Sequence, residues 1–117
     1  MKSNLQLIDF NHLNSIIGED ENFKKELIGI FLEQIPAFIS NMNQFFIKNK
    51  LDKLAREAHT AKSSVLIFGM TNTGRLLKEI QLLAESEKTD EIEPALKQVE
   101  MDLNQASTDL QNALKKD

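Results

Sequence analysis

Cysteine, tryptophan and tyrosine are absent from this sequence, and among 117 residues there are only two prolines and four glycines. Without cysteine there is neither a disulfide frame nor a thiolate metal site, which suits a reducing compartment. The two histidines, His12 and His59, are far apart in sequence and do not by themselves make a zinc site. Gly18, Gly29, Gly69 and Gly74 are scattered, so the glycine-rich phosphate cradle of a nucleotide-using kinase is missing. No apolar run approaches membrane-span length, and the stretch MKSNLQLIDF lacks the long apolar centre of a signal peptide. A soluble cytoplasmic protein is therefore expected. The formal net charge of −4 gives no basic surplus, and no Tyr or Trp is present to stack on bases, so nucleic acid is not an expected partner. Acidic residues number 18, but no pattern singles out a hydrolytic carboxylate pair.

What is present is helical periodicity. The length predicts one domain over residues 1–117 with a single core. Met1 to Leu7 read as a lead-in. Ile8 to Ile17 reads as a short helix, with Asp9 as its N-cap, Gly18 as its stop and His12 on its surface. Asp20 caps a long helix to about Lys48, with Phe23, Leu27, Ile30, Phe31, Phe38, Met42 and Phe45 as a broad apolar stripe. Pro36 interrupts that stripe, which resumes in phase, so one Pro-kinked helix is expected rather than two. Asn49 and Lys50 make the connection to the next helix. Thr71 is expected to cap a helix to about Lys88 with Leu76, Leu77, Ile80, Leu83 and Ala84 on its core face, and Gly74 there permits close approach of a neighbour. The last helix runs from about Glu91 to Lys115, tolerates Pro94 in its first turn, and carries a seam of Leu96, Val99, Leu103, Ala106, Leu110 and Ala113. Lys115 and Lys116 suit the negative end of its dipole. Short connections between four amphipathic helices imply an all-α protein, an antiparallel up-down-up-down four-helix bundle preceded by a short N-terminal helix.

The segment Leu51 to Gly69, LDKLAREAHTAKSSVLIFG, holds the chemistry, and Gly69 can take positive φ in a turn at its C-terminal cap. At about 100° per residue, Leu51, Leu54, Ala58, Ala61, Val65 and Phe68 share the apolar face. His59 projects roughly 130° from the middle of that face, so the pattern does not make it a core histidine. Lys62, Ser63 and Leu66 follow it along one surface strip, and Arg56 precedes it by one turn. A neutral imidazole is a good nucleophile near neutral pH, since its reference pKa is about 6.5. Lys62 and Arg56 supply positive charge beside it. Leu66 and Ile67, apolar but off the core face, offer a docking surface for a partner helix. Ser63 is small, and its hydroxyl can fold back on the carbonyl of His59. Gln81 falls on a flank of the following helix. A lone surface histidine ordinarily does nothing, and only the surrounding pattern lifts this one above that ordinary reading.

The run His59-Thr60-Ala61-Lys62-Ser63-Ser64-Val65-Leu66-Ile67-Phe68-Gly69 resembles the signature of histidine-containing phosphotransfer (HPt) domains. The His, the Lys three residues on and the Gly ten residues on are matched by His59, Lys62 and Gly69. Ala61 stands where Leu is usual, and Ser63 where Gly is usual. The resemblance implies a small helical bundle, often lidded by a short N-terminal helix, that serves as a phosphorelay intermediate. By that implication His59 accepts a phosphoryl group from a response-regulator receiver aspartate and passes it to another receiver domain. Gln81 matches by position the family's glutamine that hydrogen-bonds near the reactive ring. The protein would lack autokinase activity, need no cofactor of its own, rely on Mg²⁺ held by the partner receiver, and act as a monomer with receiver domains and a hybrid histidine kinase as partners. The alternative is a helical interaction module that binds receiver-like proteins without carrying phosphate.

Overall fold

A computed structural model describes residues 7–115. The expectations for the lead-in, save Leu7, and for Lys116 lie outside the described residues. Five α-helices follow in order: α1 (Phe10–Ile17), α2 (Glu21–Ile47), α3 (Leu51–Ile67), α4 (Thr71–Glu85) and α5 (Ile92–Lys115), with a 3-10 turn, Thr89–Glu91, leading into α5. This is the all-helical architecture that the periodicity predicts.

The helix starts follow from local chemistry. The Asp9 carboxylate accepts from the His12 backbone N–H at 3.0 Å, and the Asp20 carboxylate from that of Phe23 at 3.1 Å, so each satisfies a donor that a helix start leaves orphaned. α2 runs as one helix through Pro36. The ends of α2, α3 and α4 share one device. Asn49, Gly69 and Glu87 take positive φ of 56°, 72° and 59°. Around each, a pair of backbone bonds closes the last turn: Lys50 to Phe45 and Asn49 to Phe46, Met70 to Val65 and Gly69 to Leu66, Lys88 to Leu83 and Glu87 to Ala84.

Three sequence-based boundaries are corrected. α4 stops at Glu85, short of Lys88, because Glu87 adopts the left-handed turn that Gly or Asn usually marks. Met70, not Thr71, occupies the N-cap of α4 and makes no side-chain cap bond, because its thioether offers no oxygen to the N–H groups of the helix start. α5 begins at Ile92, one residue later than expected, after the 3-10 turn.

The core seam of α2 is also corrected. Ile28, Phe31, Ile35, Phe38 and Met42, spaced alternately three and four apart, are buried, whereas Phe23 and Ile30 are 43% and 52% exposed. The broad apolar stripe spans more than one face, and packing selects the strip that meets α3 and α5. Leu54, Ala58, Ala61, Val65 and Phe68 of the α3 segment are buried as their periodicity predicts, with Leu51 at the edge. Leu77, Ile80 and Ala84 of α4 are fully inside, while Leu76 and Leu83 pack around them. On α5 the seam from Leu96 to Leu110 is buried and only Ala113 lies partly outside it.

Neighbouring helices are tied across their flanks. Asn41 donates to Glu57 at 3.1 Å and the Ser64 hydroxyl to Gln34 at 3.2 Å, so positions descend on α2 as they rise on α3, and the two run antiparallel. Asn43 donates to Glu100 at 3.3 Å between α2 and α5. Between α4 and α5 the Thr73 hydroxyl donates to the buried Asp102 carboxylate at 2.8 Å, and Gln98 donates to its other oxygen at 2.9 Å. α1 lies against α2 and α3. The Phe31 and Phe68 rings stack at 4.5 Å, and the Asp9 N–H donates to the Phe68 carbonyl at 2.9 Å. Gly69 is required there twice over: its φ is positive, and a Cβ would collide with the Cβ of Asp9.

Candidate functional site

The site lies between α3 and α4, whose antiparallel pairing is fixed by packing near their shared turn. A Cβ at Gly74 would stand 2.7 Å from Leu66 Cδ2, so glycine there lets the Leu66 side chain rest against the α4 backbone without shifting. Two turns from that contact on each helix, α3 and α4 present His59 and Gln81 to the same open concavity of about 640 Å³. Asp52, Ala55, Arg56 and Thr60 complete its α3 wall, and Glu85 its α4 wall.

His59 is exposed, as its angular position predicts, while Ala58 beside it is wholly buried. Among the described residues no side chain hydrogen-bonds the imidazole. Its backbone carbonyl accepts from the Ser63 hydroxyl at 3.4 Å, the fold-back geometry expected of a serine on a helix. Thr60 does the same one turn earlier, donating to the Arg56 carbonyl at 3.1 Å. Both hydroxyls are thereby drawn back along the helix rather than towards the ring.

Gln81 is partly buried. Its Nε2 donates to Glu85 Oε2 at 3.1 Å, and its Oε1 is buried without a partner among the described residues. The residue therefore faces the His59 concavity with one end of its amide engaged and the other unsatisfied, an unusual state for a buried carbonyl oxygen. Of the residues singled out in the sequence, His59, Arg56 and Gln81 are brought together here. Lys62, partly buried on α3, does not line the concavity. Ser63, Leu66 and Ile67 continue the exposed side of α3 away from it, with Leu66 and Ile67 40% and 38% exposed. His12 is exposed on α1, a different element.

Asp52 and Glu85 escaped the sequence reading. A signal for both existed: Asp52 precedes His59 by seven residues and so shares its face, and Glu85 follows Gln81 by four. Together with Arg56 they make the concavity mixed in charge rather than uniformly basic. Among the described residues no group of three His, Cys, Asp or Glu side chains is placed to hold a metal ion. Among them, too, no helix is long and apolar enough to cross a membrane. What the arrangement offers chemically is one accessible nucleophile, a neutral amide across from it, and space above it for another molecule's reacting group.

Comparison with known proteins bears on this geometry. The family model for the Hpt domain matches residues 26–114, which contain every site residue above and leave α1 outside. The phosphorelay intermediate protein YPD1 of Candida albicans is 24% identical over 72 residues, a match covering 62% of this chain and 39% of that protein. The chain thus spans well under half the length of that relative. The crystal structure of the HPT domain from a sensor hybrid histidine kinase of Shewanella superposes with a TM-score of 0.83 at 15% identity, covering 96% of this chain and 97% of that one. At that identity the likeness is one of fold.

Proposed function

The chain belongs to the Hpt domain family, and from that premise we propose that it is a phosphorelay intermediate in two-component signalling. His59 takes a phosphoryl group from the aspartate of one response-regulator receiver domain and delivers it to the aspartate of another. The observation that carries this reading is the exposed His59 imidazole, unpaired among the described residues, at the edge of an open concavity with the Gln81 amide across from it.

In the forward step an imidazole nitrogen attacks the phosphorus of the aspartyl phosphate. The N–P bond forms, and the P–O bond to the aspartate breaks with its electron pair leaving on the carboxylate. In the second step a carboxylate oxygen of the next receiver attacks, and the pair of the N–P bond returns to the ring. Such transfer is largely positioning and electrostatics, so the chain needs few reactive groups of its own. Lys62 and Arg56 offset phosphoryl charge from one turn on either side of His59. Gln81 supplies a neutral hydrogen-bonding group beside the ring. Ser63, Leu66 and Ile67 form the face on which a receiver docks. The Mg²⁺ that assists transfer belongs to the receiver.

The unit that does this is residues 1–117 as a single domain, acting as a cytoplasmic monomer with receiver domains and a hybrid histidine kinase as partners, and with neither nucleic acid nor membrane. No observation favours the alternative of a binding module that carries no phosphate. Incubation with a panel of phosphorylated receivers tests the reading. At least one should label the protein with acid-labile phosphate, whereas ATP and Mg²⁺ alone should not. A protein that binds receivers tightly yet is labelled by none of them is a binding module, and the proposal then falls.

A further inference from the structure

We propose that Glu85 sets how long His59 holds its phosphoryl group, keeping the phosphohistidine short-lived and biased towards handover rather than storage. This rests on the phosphotransfer reading above and adds to it a residue that the reading does not need.

Glu85 is exposed on α4 and lines the same concavity as His59. It also holds Gln81, through the 3.1 Å bond from Gln81 Nε2 to Glu85 Oε2. A carboxylate only accepts, so this bond dictates which end of the Gln81 amide faces which way, and it leaves Oε1 buried and unpartnered. One of the two amide hydrogens is committed to Glu85. Gln81 then has a single N–H left for a phosphoryl oxygen.

The charge acts in the same direction. A phosphoryl group adds close to two negative charges near neutral pH. On His59 it would enter a concavity walled on one side by Glu85 and on the other by Asp52, with Arg56 as the cation among the lining residues. The carboxylates repel the phosphoryl oxygens and favour a proton on the phosphorylated ring, which makes the ring nitrogen a better leaving group. When an oxygen nucleophile attacks, whether a receiver aspartate or water, the P–O bond forms, the N–P bond breaks and its electron pair returns to the imidazole. Repulsion of the phosphoryl group and protonation of the ring both lower the barrier to that loss.

The test uses the full chain phosphorylated on His59 by phosphoramidate, a small donor that needs no receiver, with receiver-labelled protein serving equally. After the donor is removed, the half-life of the phosphohistidine is followed near neutral pH for the unmodified protein and for Glu85→Asp, Glu85→Gln and Glu85→Lys. Glu85→Gln retains an oxygen that accepts from Gln81 and removes only the charge. It should lengthen the half-life roughly threefold to tenfold, and Glu85→Lys further. Glu85→Asp should stay within about twofold of the parent. Added salt should compress the differences, as it does for exposed charges. Equal half-lives for parent, Glu85→Gln and Glu85→Lys, with helical content unchanged, overturn the inference, and so does a shorter half-life for Glu85→Lys. If phosphoramidate labels His59 and the half-lives respond while no receiver labels it, the relay reading fails and the role of Glu85 stands. A protein that neither donor labels overturns both.

Discussion

On α5, Gln98 donates to Asp102 at 2.9 Å; on α4, Gln81 donates to Glu85 at 3.1 Å. Both pairs use the four-residue spacing that puts two side chains one above the other on a helix. Their surroundings differ. Asp102 is buried between α4 and α5, and Thr73 supplies a donor to its second oxygen, so the carboxylate is satisfied at both ends. Glu85 is exposed at an open concavity, and its glutamine keeps a buried oxygen with no partner. Helical spacing makes the pair in both places. Burial and a third partner turn one into part of the helix–helix seam, and their lack leaves the other free to respond to something that arrives.

The largest effect should come from removing the nucleophile beside the open pair. His59→Gln should abolish phosphoryl labelling altogether while shifting folding stability by no more than about 0.5 kcal/mol, as for most surface changes. Labelling by a phosphorylated receiver, read beside a urea unfolding curve, checks both halves, and labelling that survives in His59→Gln would move the site elsewhere. Next in size is the closed pair. Thr73→Val keeps the side-chain shape but strips the hydroxyl, leaving an oxygen of the buried Asp102 without its donor. It should cost about 1–3 kcal/mol and lower the urea midpoint, with transfer rates unchanged. If Thr73→Val proves as harmless to folding as Glu85→Gln, the two pairs do not differ in the way their burial indicates. The smallest effect belongs to Ser63→Gly, which restores the residue usual in the family. It should destabilise α3 by about a few tenths of a kcal/mol, and leave transfer within a few-fold. A parent protein that is inert and regains transfer in Ser63→Gly would instead mark Ser63 as the residue that disables the site.

Much of this was readable from residue order. Asp9 and Asp20 announced their helices because a capping carboxylate acts within three residues, and Gly69 announced a turn because few other residues tolerate its φ. The outward face of His59 followed from angle alone. What escaped depends on contacts between segments. Glu87 ends α4 in a conformation its side chain does not advertise, and the seam of α2 had to be chosen from an apolar stripe wider than one helix face can bury. The Thr73–Asp102 bond joins residues on different helices, so no local pattern marks it. Asp52 shares the His59 face of α3 by spacing alone, but Glu85 is an ordinary surface acid until α3 and α4 are laid side by side, and only then does it line the concavity at His59.

The hydrogen bond from the Asp9 N–H to the Phe68 carbonyl has a consequence for the order in which the chain assembles. During synthesis Asp9 leaves the ribosome well before Phe68, so the strap ahead of α1 emerges with nothing to fasten to. The α3–α4 hairpin, closed by a three-residue turn, forms from neighbours in sequence and needs only a short loop to be ordered. The strap therefore closes late, over a turn that is already built. The helical pair that carries His59 and Gln81 is joined through sequence neighbours, whereas the Asp9 to Phe68 bond closes a loop of nearly sixty residues.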